Sequence, residues 1–141
     1  MNSKNIESII NDCLYRISLK CLITNNHGQV LVVKETGRKS WDLPGGGIDH
    51  HEDIKSAIAR ELREEINLQG DFTYQIIGLD EPSKLSTRDI WQVRLILRLT
   101  PQNLDFSAGE HGDEVRFINP GLLKESDHES ERKIYGYANI T

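Results

Sequence analysis

Apolar and polar residues alternate along two stretches of the chain, which is the pattern of a β-strand with one buried face. In the stretch from Tyr15 to Ile23 the odd-numbered residues are apolar or aromatic, and the same holds from Ile90 to Thr100. The polar positions between them are Arg16, Ser18 and Lys20 on the first stretch and Gln92, Arg94 and Arg98 on the second. We expect the apolar faces to enter the core and the polar faces to meet solvent.

Three further strands are indicated. Residues 30–33, Val-Leu-Val-Val, are a continuous apolar run typical of a buried strand. The turn residues Asn25 to Gly28 precede it, so we expect a hairpin with the first strand. Phe72 to Leu79 and Glu114 to Ile118 complete the predicted strands, and residues 80–89 are expected to form a polar loop.

Helical spacing of apolar residues predicts a helix over Ile54 to Ile66, with Asp53 as its N-cap. Asn119-Pro120 predicts the start of a terminal helix, and we expect the charged tail from Lys124 to Arg132 to fray. Strands outnumber helices, and one helix lies among them. The pattern therefore favours an α/β (α+β) fold, a mixed β-sheet covered by helices, in a single domain over residues 1–141.

Composition narrows the class of protein. The chain has 37% hydrophobic and 28% charged residues, typical of a soluble globular domain, and a net charge of −5. An acidic chain is poorly suited to non-specific binding of nucleic acid or anionic membranes, although metal ions could bring phosphates to it. No apolar stretch reaches bilayer length, and residues 1–12 lack a signal-peptide core. We therefore expect a cytoplasmic protein with reduced cysteines and no membrane or nucleic acid duplex as partner.

Carboxylates crowd one face of the predicted helix. Glu64 and Glu65 follow Glu61 by three and four residues, so the three lie close together, and like charges at this spacing destabilise a helix. Such a cluster suits a hard cation such as Mg²⁺, Mn²⁺ or Ca²⁺. The alternative is a solvated face neutralised by Arg60 and Arg63.

The segment Gly46 to Leu68 resembles the Nudix box, G-x5-E-x7-R-E-U-x-E-E-x-G-U, where U is a bulky aliphatic residue. The matching positions are Gly46, Glu52, Arg60, Glu61, Leu62, Glu64, Glu65 and Leu68. Asn67 is the one departure, since the family usually has glycine there, and asparagine tolerates the left-handed conformation common at helix ends. The preceding residues 41–46, WDLPGG, also resemble the usual entry to this box.

The resemblance implies an α/β/α sandwich that hydrolyses the pyrophosphate bond of a nucleoside diphosphate linked to another group. It implies a divalent metal, usually Mg²⁺, with Mn²⁺ as a substitute. Carried over by position, the metal ligands are Glu61, Glu64, Glu65 and the carbonyl of Gly45, with Glu52 beside them. Arg60 would hold the glutamates by a charge-assisted pair. A simple helix-surface pair of Arg60 with Glu64 is the alternative, and both can be true.

The general base is not fixed by the sequence. We favour Glu64 or Glu61, and the loop residue Glu110 is the rival, with Glu114 second. An acidic surface loop is an equally good interpretation of these two loop residues. For substrate binding, Gly46 and Gly47 would let phosphates approach the main chain, and Arg38 could reach them from its loop.

Several substrates and functions stay open. The resemblance allows a nucleoside triphosphate, ADP-ribose, a nucleotide sugar or a dinucleoside polyphosphate, and Pro82 is weak evidence for ADP-ribose. A non-catalytic nucleotide-sensing domain and an isomerase on the same fold are the alternative functions. A homodimer formed through an exposed strand edge is a further hypothesis.

Overall fold

The computed structural model describes residues 13–85 and 88–140. In chain order the elements are β1 (Tyr15–Leu22), β2 (Val30–Glu35), α1 (Ile54–Ile66), β3 (Phe72–Leu79), β4 (Ser83–Lys84), β5 (Trp91–Pro101), β6 (Gly112–Ile118), a 3₁₀ helix (Pro120–Leu123) and α2 (Glu129–Ala138). None of the helices within these ranges has the length and apolar character required to cross a membrane.

The strands form two sheets. The mixed sheet has the order β1-β5-β3, with β1 parallel to β5, β3 antiparallel to it, and the short β4 also paired with β5. The second sheet pairs β2 with β6 in antiparallel orientation. The predicted β1–β2 hairpin is therefore wrong beyond its turn, where Thr24 bridges Val30. The reason is that β5 pairs with one edge of β1, while residues 44–48 hydrogen-bond to the other edge.

Two hydrophobic cores lie on opposite faces of these sheets. Ala57, Ile58, Leu62 and Ile66 of α1 pack with Leu19, Cys21, Leu31, Val33, Leu97 and Leu99. Ile134 and Tyr137 of α2 pack with Leu22, Val30, Val32, Leu43 and Ile96. Successive residues of a strand point to opposite faces, so β1, β2 and β5 each supply both cores. The α/β/α sandwich with a mixed sheet between helices is thereby confirmed.

The expected burial of the two alternating strands is correct at only one end. Tyr15, Ile17 and Trp91 keep 46 to 49% of their surface exposed, because α1 packs on the other end of that face. On the opposite face, Lys20 is only 5% exposed and Gln92 only 4%. The expectation that the polar faces meet solvent is therefore wrong for Lys20 and Gln92, which are buried, whereas Arg16, Arg94 and Arg98 are partly exposed.

The ends of α1 follow the sequence closely. Asp53 is the N-cap, and its carboxylate accepts a hydrogen bond from the Ser56 amide at 2.7 Å. Asn67 ends the helix in the left-handed conformation, with φ of 53°. Asparagine can take this conformation at modest cost, as expected for the one departure from the box.

The C-terminal region differs from the prediction. Asn119-Pro120 starts only the four-residue 3₁₀ helix, and the terminal helix α2 begins at Glu129. The expected fraying over residues 124–132 is wrong for the part within α2, because this helix buries an apolar face. Glu131 is 9% exposed and accepts a hydrogen bond from the Trp41 amide at 2.9 Å, which ties α2 to the segment before the glycines.

Candidate functional site

The glycine loop, residues 44–47, lies along the edge of β1 that β5 leaves free. The amide of Leu19 donates to the carbonyl of Gly46 at 2.8 Å, and the amide of Cys21 donates to Pro44 at the same distance. Beyond the loop, the Ile48 amide donates to the carbonyl of Ile17 at 3.0 Å. The backbone of the glycine loop is therefore fixed by the sheet.

Two glycines allow this close approach. Gly45 has φ of 144°, and a Cβ atom there would overlap the carbonyl oxygen of Leu19. A Cβ atom on Gly46 would lie 2.5 Å from the Oε2 atom of Glu61. The glycines are therefore needed because β1 presses on one side of the loop and α1 on the other.

Glu65 is the most enclosed of the three helix glutamates. It is 4% exposed, and its Oε2 atom accepts a hydrogen bond from the Gly45 amide at 3.1 Å. Burial raises the pKa of Glu65 to about 8, although the positive charge of Lys20 acts in the opposite direction. Lys20 itself pairs with Asp42 at 2.9 Å.

Arg60 organises the neighbouring carboxylates. Its Nε and Nη2 atoms donate to the two oxygens of Glu52, both at 2.8 Å, and its Nη1 atom donates to Glu61 at 2.9 Å. A further bond runs from Nη2 to the carbonyl of Gly47 at 3.0 Å. These bonds hold the pKa of Glu52 near 2. The contact of Arg60 with Glu64 is longer, at 4.0 Å, so Glu61 and Glu52 are its main partners.

The metal ligands implied by the resemblance stay a prediction. Within the described ranges, no group of three Asp, Glu, His or Cys side chains is close enough together to hold a metal ion. Glu61 and Glu52 instead bind Arg60, and Glu65 binds the Gly45 amide. The residues still fit a hard divalent cation in kind, because their free donors are carboxylate and carbonyl oxygens next to a loop without side chains.

The loop of residues 107–112 closes the end of α1. The amides of Ser107, Gly109 and His111 donate to the carbonyls of Ile66, Glu65 and Glu64, respectively. The Asn67 side chain adds bonds to the Ser107 hydroxyl at 3.0 Å and the Ala108 carbonyl at 3.1 Å. Asparagine therefore does more here than tolerate the left-handed conformation.

This loop also carries the proposed rival base. Glu110 and Glu114 are both exposed. The side chain that reaches the helix glutamates is instead that of His111, whose Nδ1 atom lies 3.3 Å from Oε2 of Glu64. Sequence reasoning missed His111, since a lone histidine in a polar loop carries no spacing that would mark it.

A cavity of about 320 Å³ opens beside the glycine loop. Its lining includes Arg16, Ser18 and Lys20 of β1, Gln92 and Arg94 of β5, and Gly45, Gly46 and Arg38. Arg38 is mostly exposed and lies 3.6 Å from Glu35. Most of the charged lining was missed because β1 and β5 were not predicted to be neighbours, which is what brings their polar faces together.

Comparisons with known proteins agree with this architecture. Residues 14–137 match the family model described as the NUDIX domain. The MutT protein from Methanosarcina mazei has a similar fold, with a TM-score of 0.74 at 20% identity over 92% of this chain and 96% of that one.

Sequence similarity is more local. An RNA pyrophosphohydrolase from Vibrio atlanticus is 48% identical over 54 residues, which cover 38% of this chain and 31% of that protein. An RNA pyrophosphohydrolase from Shewanella is 33% identical over 89 residues, or 63% of this chain and 47% of that protein. The chain thus matches less than half of the length of these relatives, whereas the family model covers most of the chain. Because the family model spans residues 14–137, the chain belongs to the NUDIX domain family.

Proposed function

We propose that the chain is a Mg²⁺-dependent hydrolase that cleaves the pyrophosphate bond of a nucleoside diphosphate linked to another group. The observation that carries this proposal is the position of Glu61 and Glu65, which contact Gly46 and Gly45 where the glycine loop is bare. Glu64 lies on the same helix one turn from Glu61. The chain therefore offers hard oxygen ligands beside a surface that a phosphate can approach.

The proposed metal ligands are Glu61, Glu64, Glu65 and the Gly45 carbonyl. Bound Mg²⁺ would neutralise phosphate oxygens and lower the pKa of the attacking water. Arg60 would orient Glu61 through its 2.9 Å bond while Glu52 holds both ends of the guanidinium fork. In this geometry the main contact of Glu52 is with Arg60, and its position beside the proposed metal site is secondary.

Glu64 is our preferred general base. Glu61 is bound to Arg60, and Glu65 is buried against the Gly45 amide, so both carboxylates are already engaged. The Glu64 side chain keeps 32% of its surface exposed, and its contacts to Arg60 and His111 are the longer ones, at 4.0 and 3.3 Å. It is therefore the carboxylate best placed to take a proton from water.

The test is cleavage of a substrate panel by purified protein with Mg²⁺, Mn²⁺ or EDTA. The panel holds nucleoside triphosphates, ADP-ribose, nucleotide sugars, dinucleoside polyphosphates and, because two relatives are RNA pyrophosphohydrolases, RNA with a 5′ triphosphate. We expect metal-dependent cleavage whose kcat falls by about 10² to 10⁴ in Glu64→Gln, the usual contribution of a general base.

The matched control is Glu125→Gln, which removes one exposed carboxylate far along the chain from the box and should leave kcat unchanged. A Glu110→Gln variant separates the rival base, because only one of the two glutamine variants should abolish the acidic limb of the pH profile of kcat. Tight nucleotide binding without turnover across the panel would contradict hydrolysis and favour a sensing domain.

A further inference from the structure

The cavity beside the glycine loop has a floor made by two parallel strands. Arg16 pairs in register with Gln92, and Ser18 with Arg94, so the polar faces of β1 and β5 form one surface. Gly45 and Gly46 form part of the wall, and the same two glycines contact Glu65 and Glu61 on the other side. A ligand in the cavity would therefore lie next to the proposed metal site.

Two of the cations in this cavity are already neutralised. Lys20 is paired with Asp42 at 2.9 Å and also donates to the carbonyl of Leu43. Arg38 is paired with Glu35. Glu35 and Asp42 are the two acidic residues of the lining, and both are already paired. Neither is therefore left to pair with the remaining arginines.

Arg16 and Arg94 differ from these pairs, because neither forms an ion pair within residues 13–85 and 88–140. The Nε atom of Arg94 is buried and has no hydrogen-bond acceptor among the described residues. Nearby, Asp80 accepts from the Tyr137 hydroxyl and lies 3.9 Å from Lys133. A buried donor without an acceptor costs about 1–3 kcal/mol. The Arg94 guanidinium lies near the Tyr137 hydroxyl and lines the cavity, where a bound anion would supply further acceptors to it.

The Arg16 guanidinium is held at the loop end of the same floor. A Cβ atom on Gly47 would overlap the guanidinium of Arg16, which shows that this group packs directly on the Gly47 backbone. Two guanidinium groups on adjacent strands therefore line one cavity beside a bare loop, and each can donate two parallel N–H bonds to a phosphate. The chain as a whole carries a net charge of −5, so the positive charge at this cavity is opposite in sign to that of the whole protein.

We propose that Arg16 and Arg94 form a subsite for the terminal phosphate of a substrate with three or more phosphates. The assignment rests on the proposed pyrophosphate cleavage and narrows its substrate class. A nucleoside triphosphate group, free or at the 5′ end of RNA, places a further anion beyond the bond that spans the metal site. ADP-ribose and nucleotide sugars place a neutral sugar there, which gains little from two guanidinium groups.

The kinetic test compares kcat/KM for ATP, a 5′-triphosphorylated RNA oligonucleotide, ADP-ribose and a nucleotide sugar. We expect the wild type to prefer the first two. Arg94→Gln should lower kcat/KM for both triphosphates by about 10 to 100-fold, mainly through KM, because a hydrogen bond to a charged group is lost. The same variant should change the values for ADP-ribose and the sugar less than about twofold.

Two further variants test whether the effect of Arg94→Gln depends on the position of the arginine in the cavity and on its charge. Arg98→Gln is the matched control, since Arg98 is on the same strand but lies outside the cavity, where it donates to the carbonyl of Ile140. It should leave all four substrates unchanged. Arg94→Lys keeps the charge without the fork and should retain part of the preference for triphosphates. An equal effect of Arg94→Gln on all substrates, or none on any, would overturn the subsite.

A binding measurement separates this subsite from the proposed reaction. Calorimetry with inorganic tripolyphosphate in EDTA requires no turnover, and we expect its affinity to fall at least about tenfold in Arg94→Gln. If no substrate is cleaved but this loss is seen, the hydrolase proposal fails and the anion subsite stands. If cleavage is normal but wild type and variant are alike towards tripolyphosphate, including no binding to either, the subsite fails and the hydrolase proposal stands.

Discussion

The two sides of the glycine loop handle charge differently. On the helix side, two of the three carboxylates are engaged by the protein itself: Glu61 by Arg60, and Glu65 by the Gly45 amide. On the sheet side, Lys20 and Arg38 have acidic partners, whereas Arg16 and Arg94 have none within the described part of the chain. The helix carboxylates and the cavity arginines lie on opposite sides of Gly45 and Gly46, which have no side chains. The comparison shows that Gly45 and Gly46 border both regions, since they contact the helix glutamates and also line the cavity of the arginines.

The largest effect is expected where the loop meets the sheet. Gly45→Ala would force an L side chain into φ of 144° and against the Leu19 carbonyl, so both β1 and the loop must shift. We expect the free energy of unfolding to fall by more than about 3 kcal/mol, measured by urea denaturation.

Gly46→Ala is the matched change on the helix side, because the atoms nearest to its Cβ would be those of the Glu61 side-chain carboxylate rather than backbone atoms. Its urea midpoint should stay near that of the wild type, while metal-dependent cleavage falls about 100-fold as Glu61 is displaced. If both alanine variants lose stability equally, the two sides of the loop are not distinct in the way described.

A smaller effect is expected from the buried carboxylate of the helix side. The folded-state pKa of Glu65 is about 8, above its ordinary value of 4.5, so folding takes up a proton between these two values. The stabilising contribution is complete below pH 4.5 and is lost as the pH rises through 8. Metal-free protein should therefore lose about 1–3 kcal/mol of unfolding free energy between pH 6 and 9.

Glu65→Gln is the control for this titration, since an amide has no charge to develop over the same range. Urea denaturation in EDTA at several pH values measures both proteins. Parallel curves for wild type and variant would mean that Glu65 keeps its charge in the folded protein, and that the helix side is better compensated than its burial suggests.

The smallest effect concerns the clamp at the end of α1. Asn67→Gly keeps the left-handed conformation but loses the side-chain bonds to Ser107 and Ala108, whereas Asn67→Ala loses both advantages. We expect the alanine variant to lose about 1 kcal/mol and the glycine variant less, by thermal unfolding. A glycine variant that is less stable than the alanine variant would contradict this prediction, because both variants lack the amide bonds and only glycine favours the left-handed conformation.

The sequence was a good guide wherever the pattern is local. The helix bounds, the Asp53 cap and the left-handed Asn67 follow from residues that lie within one or two turns of each other. The pairing of β1 with β5 could not be derived in this way, since alternation does not say which strands are neighbours. That one missing contact hid the shared position of Arg16, Gln92 and Arg94 beside one cavity, because they look like solvent-facing residues on each strand taken alone.

The parallel pairing of β1 with β5 also bears on how the molecule reaches its native state. Tyr15 pairs with Trp91, and the whole intervening chain, including the box helix, separates them in sequence. Contacts of such long sequence separation form slowly. The box helix is a local structure that can form much earlier. During refolding, helical signal should therefore recover before phosphate binding, and tripolyphosphate affinity should serve as a reporter of completed topology rather than of secondary structure.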